Sequence, residues 1–190
     1  MRLELASRKA VKYAVEKYHY SQNAAPRAYD LPFAVFERDE FCGVICYGRG
    51  ATNDIGSPYG LNSGQCIELI RVALNGKQNK TSQAVARSLR ILKQYAPQVR
   101  MVVSYADPEQ GHAGTIYQAM NWLYMGRTTP ADEYILNGKR MHGRTFRAKG
   151  RPNQAQKVKG SSKLRYCYTW DKKLRKHLQQ SCLPYPAREA

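Results

Sequence analysis

Ile67-Glu-Leu-Ile-Arg-Val-Ala-Leu74, the turn Asn75-Gly76-Lys77-Gln78-Asn79-Lys80, the helix opening Thr81-Ser82 and the run Met101-Val-Val-Ser-Tyr105 decide the fold. The first run is apolar apart from Glu68 and Arg71, the pattern of a central strand covered on both faces. In a regular strand those two residues, three positions apart, are expected on opposite faces. After the turn, Val85, Leu89 and Leu92 share one helical face. A second buried strand follows from Met101 and stops at Ala106-Asp107-Pro108.

Working outward, residues 2–5 make a short strand, and Ser7 caps a helix whose apolar positions Val11, Ala14, Val15 and Tyr18 fall on one stripe. Pro26 and Pro32 bracket a loop. Phe33–Phe36 and Phe41–Tyr47 then read as a hairpin around Arg38-Asp39-Glu40. Residues 48–64 hold five glycines and a proline, a loop long enough to be expected to serve function. Downstream, Gly111 to Trp122 reads as a helix with Ile116, Ala119, Met120 and Leu123 on its core stripe, and Leu123–Gly126 and Glu133–Leu136 as strands. The expected order is β-α-β-β-β-α-β-α-β-β, an α/β (α+β) chain with a mixed sheet and helices on its faces.

The 190 residues carry 31 Lys and Arg against 14 Asp and Glu. Residues 1–138 hold 16 and 12 of these, residues 139–190 hold 15 and 2, so a catalytic domain over 1–138 and a basic extension over 139–190 are expected. Such an excess points to a polyanion, because bound phosphates release their condensed counterions. Lys163-Leu-Arg165-Tyr-Cys-Tyr-Thr-Trp170 alternates like a strand, and its aromatics, with Phe146, suit phosphate tracking and base stacking. Lys163, Arg165, Lys172, Lys173, Arg175 and Lys176 are the cations expected on such a polyanion, be it nucleic acid, an anionic membrane surface or a phosphorylated cofactor; the plainer reading is a solvated, solubilising face. No run of about 18 apolar residues occurs, so no membrane span is expected. Met1-Arg-Leu-Glu-Leu lacks a signal peptide's apolar stretch, and five cysteines without paired spacing suit a reducing cytoplasm.

Chemistry is carried by few residues. Gly76, Lys77, Lys80, Thr81 and Ser82 stand where a strand becomes a helix, and free N–H groups with the helix dipole favour a phosphate there. The same residues are also ordinary turn chemistry. Asp107, at the end of a buried strand where open α/β sheets place their sites, offers a carboxylate to accept a proton or bond an amine, or else a helix cap. Glu68 on a central strand needs a partner, which makes it a candidate. His19 and Tyr20, taken alone, read as residues that end a helix.

The succession of elements resembles the GNAT acyltransferase fold. That resemblance implies coenzyme A pyrophosphate at the helix after the fourth strand (Gly76, Lys77, Lys80, Thr81, Ser82) and pantetheine beside Arg71 and Val72. Thr115-Ile-Tyr117 followed by Trp122-Leu-Tyr-Met-Gly126 is similar to the family's Leu-Tyr and Gly-Phe pattern, which puts Tyr117 on the tyrosine that protonates the departing thiolate. Gly76-Lys-Gln-Asn-Lys80-Thr-Ser82 stands where that family has its Gln/Arg-x-x-Gly-x-Gly/Ala loop. His19-Tyr20-Ser21, Glu68-Leu-Ile-Arg71 and Ser104-Tyr-Ala-Asp107-Pro-Glu-Gln-Gly-His112-Ala-Gly-Thr-Ile-Tyr117 together resemble the phage Mom family, GNAT-like enzymes that modify adenine in DNA to the methylcarbamoyl form and shield it from restriction. This implies acetyl-CoA as cofactor, double-stranded DNA as partner, catalytic roles among His19, Tyr20, Glu68, Ser104, Asp107 and Tyr117, and iron as a second candidate, for which His19, Glu68 and Asp107 would be suitable ligands. The target adenine must leave the duplex, and Tyr47, Tyr59 and the 48–64 loop are expected at the entrance. A conventional acetyltransferase acting on a protein or small amine, and a DNA-binding protein without chemistry, are the alternatives.

Overall fold

The computed structural model describes residues 1–22, 30–50 and 54–187. Pro26 and residues 51–53 of the glycine-rich loop lie outside them. The chain opens with β1 (Arg2–Leu5) and α1 (Arg8–Tyr18), followed by the hairpin β2 (Leu31–Glu37) and β3 (Glu40–Gly48). β4 (Cys66–Leu74), α2 (Thr81–Tyr95) and β5 (Met101–Ala106) make the crossover read from the sequence. Next come α3 (Thr115–Gln118), β6 (Leu123–Arg127), β7 (Asp132–Leu136), β8 (Lys139–His142), α4 (Gly143–Ala148), β9 (Gln156–Lys159), β10 (Leu164–Thr169) and α5 (Lys172–Gln179).

Seven strands form the central sheet in the order β1-β2-β3-β4-β5-β10-β6, with β4 and β5 its parallel pair. Ser7 caps α1 by accepting from the Ala10 N–H, and Val11, Ala14 and Val15 bury that helix against Val44, Cys46 and Ala73. On the same face α5 inserts Leu174 and Leu178 against Cys66, Met101 and Cys167. The opposite face carries α2, whose Val85, Leu89 and Leu92 pack with Ile67, Leu69 and Tyr117. Helices therefore cover both faces of a mixed sheet. Among the described residues no helix is long and apolar enough to cross a membrane.

Two irregularities in β4 shape everything that follows. Its pairing with β5 covers only Cys66–Glu68 against Met101–Val103, after which the strands part. Its pairing with β3 shifts register, with Tyr47 opposite Leu69 but Cys46 opposite Arg71, so Ile70 is an inserted residue. The insertion reverses the alternation: Ile67 and Leu69 belong to the α2-side cluster before it, Val72 and Leu74 after it. Glu68 and Arg71 consequently share the α1 face, against the expectation of opposite faces.

Other expectations are corrected as well. The helix read from Gly111 to Trp122 is one turn, Thr115–Gln118, preceded by a 3-10 turn at Pro108–Gln110. Gly111 and Gly114 adopt φ of +69° and +76°, and a Cβ on Gly114 would collide with the Tyr166 ring, so this backbone wraps closely rather than coiling. Glu133–Leu136 is a strand, but in a second sheet ordered β8-β7-β9. Tyr166 is buried, and Tyr168 and Trp170 are partly buried against the same cluster, because β10 lies between β5 and β6; these aromatics are core and not a stacking surface. Tyr47 is fully buried and shares a 2.7 Å hydrogen bond with Ser88, while Tyr59 packs against the α5-side core. Neither lines an entrance.

Candidate active site in the parted strands

Where β4 and β5 separate, a cavity of about 690 Å³ opens at their C-terminal ends. The end of α1 supplies Tyr18, His19 and Tyr20, the bulged stretch of β4 supplies Glu68 to Val72, and the end of β5 supplies Tyr105 to Asp107. The segment from Gly111 to Tyr117 closes one side, and Thr128, Thr129, Ala131, Glu133, Gly160, Ser161 and Lys163 form the far rim. Thr81 at the start of α2 also borders it, so the opening communicates with both faces of the sheet.

Tyr117 and Ser104 lie on the α2 side, both buried. The Ser104 hydroxyl donates to the Leu69 carbonyl at 2.8 Å, closing the gap between the parted strands, and stands 2.7 Å from the Tyr117 hydroxyl. A carbonyl only accepts, so Ser104 spends its proton on Leu69 and Tyr117 is the donor in the second bond. Burial pushes the Tyr117 phenol up to about 12. Tyr117 therefore keeps its proton throughout the physiological range.

On the α1 side, Nδ1 of His19 accepts the Ser21 N–H at 3.2 Å and lies 2.8 Å from the Ser21 hydroxyl. Its other nitrogen then carries the proton of the neutral ring. Burial, followed by the charges of Arg71 and His112, lowers His19 from 6.5 to about 4. Because the folded value is depressed, the stability it contributes is present above pH 6.5 and lost as pH falls towards 4. Urea midpoints of the native protein should fall across that window, and those of His19→Asn should fall less; parallel curves would place the acid sensitivity elsewhere. The half-exposed Tyr20 ring lies 4.2 Å from that of His19 and 5.5 Å from that of His112, making an aromatic wall at the mouth. Its phenol is raised, chiefly by burial.

Arg71 donates from Nη1 to the Ile70 carbonyl at 2.8 Å, while its buried Nε has no hydrogen-bond partner among the described residues. It presents a cation to the cavity where the bulge has turned it. Asp107 is held firmly: Oδ1 accepts the Glu109 N–H at 3.2 Å and the Ser161 hydroxyl at 3.1 Å, and Oδ2 lies 3.8 Å from Lys163 Nζ. The capping role weighed from the sequence is thus real, for the 3-10 turn and not for a helix at residue 111. With its side chain 12% exposed, the carboxylate still borders the cavity. Glu68 also borders the cavity, and its carboxylate occupies the space that a side chain on Gly50 would need.

One cavity therefore gathers His19, Tyr20, Glu68, Arg71, Val72, Thr81, Asp107, Tyr117 and Lys163. Gly76, Lys77, Lys80 and Ser82 lie off its wall. Gly76 has open space around it and is needed for its φ of +83°, and Lys77 pairs with Glu40 at 3.4 Å. Lys80 holds the N-cap position of α2 without a side-chain cap, which leaves that helix start open to an anion. Arg165 donates to the Met125 carbonyl, and Lys172, Lys173, Arg175 and Lys176 belong to α5, off the cavity. Iron does not fit: among the described residues no group of three or more His, Cys, Asp or Glu side chains could hold a metal ion. His19 faces Arg71, and Asp107 is taken up by Ser161 and Lys163.

Tyr105, His112, Glu133 and Ser161 were missed from sequence. His112 stood inside the Ser104–Tyr117 motif, and its spacing to the His19-Tyr20 pair carried no signal. Ser161 sat in a segment read only for charge.

The fold is similar to solved acetyltransferases. An aminoglycoside acetyltransferase in complex with coenzyme A and kanamycin aligns with a TM-score of 0.55 at 11% identity, over 93% of this chain and 98% of that one. An acetyltransferase of Bacillus subtilis in complex with CoA aligns at 0.51 and 14% identity, over 90% and 99%. In sequence, the chain is 28% identical to the methylcarbamoylase Mom of Escherichia phage Mu over 98% of its own length and 83% of that protein's. The model of the Mom protein family matches residues 1–187, and on that match over nearly its whole length the chain belongs to the Mom protein family.

Proposed function

We propose that the chain is a phage-type DNA hypermodification enzyme, acting in the host cytoplasm, that transfers a methylcarbamoyl-type group to the exocyclic N6 amine of adenine and so protects DNA from restriction. One observation carries the reading: a cavity holding Asp107, Tyr117 and Arg71 lies in a chain that matches, over 98% of its length, a relative named methylcarbamoylase. The amine lone pair of adenine is delocalised into the ring, so an acceptor at that nitrogen is needed, and the Asp107 carboxylate offers it. Tyr117, protonated and buried, is the donor for a departing group on the other side of the sheet.

An acyl-CoA-type donor would supply an activated carbonyl carbon and leave as the CoA thiol. Acetyl-CoA, the first candidate, would bring the carbonyl and methyl carbons, and the methylcarbamoyl nitrogen would have to come from a separate nitrogen donor. The fit lies in the parted β4 and β5, the uncapped start of α2 and Thr81 on the cavity wall. Arg71, with its unpartnered Nε, would orient an oxygen of either substrate. The aromatic wall of Tyr20, His19 and His112 suits an extruded base, whose unstacking costs about a few kcal/mol.

Mass spectrometry of nucleosides from the DNA of cells expressing the protein tests this. A modified deoxyadenosine is expected, absent from cells lacking the gene. Unmodified DNA beside soluble, folded protein would overturn the reading, and a modified protein or small amine would replace it with a conventional acetyltransferase.

A further inference from the structure

In the central sheet β6 and β10 pair directly, with Leu123 opposite Cys167 and Arg127 opposite Leu164. Everything from Thr128 to Lys163 is therefore an excursion of one hairpin, and it folds into the β8-β7-β9 sheet with α4. The Tyr134 and Phe146 rings stack at 3.6 Å and hold α4 to β7. Its two stems are tied together: the Thr128 N–H donates to the Lys163 carbonyl at 2.8 Å, and the Gly160 N–H to the Ala131 carbonyl at 2.8 Å. They are also tied to the cavity, through Ser161 on Asp107 and through Arg140, which bridges Glu133 to Glu109 on the loop after β5. This flap is fixed at the rim of the active site.

Residues 132–159 hold eight lysines and arginines against Asp132 and Glu133, a net of +6. Both acids are already used, Asp132 by Lys157 and Lys159 at 2.8 Å each, and Glu133 by Arg140. Lys139, Arg147, Lys149 and Arg151 are exposed, and no salt bridge among the described residues includes them. The cations of α5 are placed differently. β10 runs antiparallel to β5, with Leu164 opposite Ala106 at the cavity end and Thr169 opposite Met101 at the other. α5 starts just beyond Thr169, anchored by Asp171 on Arg100 at 2.6 Å. Its first lysines thus lie a six-residue strand, roughly 17 Å, from the cavity end.

We infer that the flap surface of Lys139, Arg147, Lys149 and Arg151 grips the phosphate backbone of double-stranded DNA beside the cavity, and that α5 does not. The inference rests on DNA being the substrate. Unpaired cations on a short rigid module at the rim hold the strand within reach of Asp107, whereas a grip at the far end of the sheet would leave the target base a strand length away.

Two full-length variants test it: the Gln replacements of Lys139, Arg147, Lys149 and Arg151, and those of Lys172, Lys173, Arg175 and Lys176. Fluorescence anisotropy with a short duplex of arbitrary sequence is measured over a salt series, and circular dichroism checks that each variant folds. The flap variant should lose about tenfold or more in affinity, and its slope of log affinity against log salt should flatten by about 3 to 4. The α5 variant should stay within about twofold, with the native slope. Native-like binding by the flap variant, or an equal or larger loss in the α5 variant, would overturn the inference. So would a flap variant that binds the duplex like the native protein but loses binding to vesicles of anionic lipid in a parallel titration. If nucleoside analysis finds no modified base while the flap variant still loses duplex affinity, the grip stands and the enzymatic reading fails.

Discussion

Asp107→Asn is expected to lower DNA modification by about 10²–10⁴-fold, the usual contribution of a positioned acid or base, with duplex affinity unchanged. Asparagine is the informative replacement because Asp107 has two roles. Its Oδ1 caps the 3-10 turn through the Glu109 N–H and receives the Ser161 hydroxyl, and an amide oxygen can accept both bonds. Only the charge is lost, and with it the proton acceptor and the attraction to Lys163. The variant should melt within a few degrees of the native protein while nucleoside analysis finds little product. Alanine removes the cap as well, at about 1 kcal/mol, and confounds the two roles. A fully active Asp107→Asn would reduce the carboxylate to its cap and stem contacts.

Asp107 was legible because an Asp-Pro step ends an apolar run, a pattern local to the chain. The strands and most helices of the compact region were legible for the same reason. The bulge at Ile70 was not, since register is a relation between β3 and β4 and Ile70 looks like any strand residue. Its effect on the site is large: without it Arg71 would face α2, and Glu68 and Arg71 would not border one cavity from the same face. The aromatics of β10 were misjudged for a related reason. Alternation shows a strand but not its neighbours, and between β5 and β6 Tyr166 is core. The helix expected over 111–122 failed on close approach, since Gly114 is needed where the backbone meets the Tyr166 ring. Charge counting marked residues 139–190 as basic, yet only the pairing of β6 with β10 turns residues 128–163 into a module at the cavity rim.

Tyr117→Phe and Ser104→Ala should have opposite signatures, and the direction of the proton between them is the reason. Ser104 donates to the Leu69 carbonyl, so the Tyr117 hydroxyl donates to Ser104 in the resting structure. Removing that hydroxyl leaves the Ser104–Leu69 bond intact and strands no buried donor, so Tyr117→Phe should melt close to the native protein. Modification should fall by about 10²-fold or more, because the donor for the departing group is gone. Ser104→Ala removes the partner of two buried groups, the Leu69 carbonyl and the Tyr117 hydroxyl, which costs about 1–3 kcal/mol for each left unsatisfied. In a chain of this size each kcal/mol lowers the melting temperature by about 2–4 °C. Its activity per folded molecule should nevertheless stay within a few-fold of native, since the Tyr117 proton no longer has to leave Ser104 to reach a substrate. Calorimetry and nucleoside analysis on both variants separate the two effects. An inactive Ser104→Ala with a native melting temperature, beside an active Tyr117→Phe, would mean that the proton travels through Ser104 and that Tyr117 only fills the core.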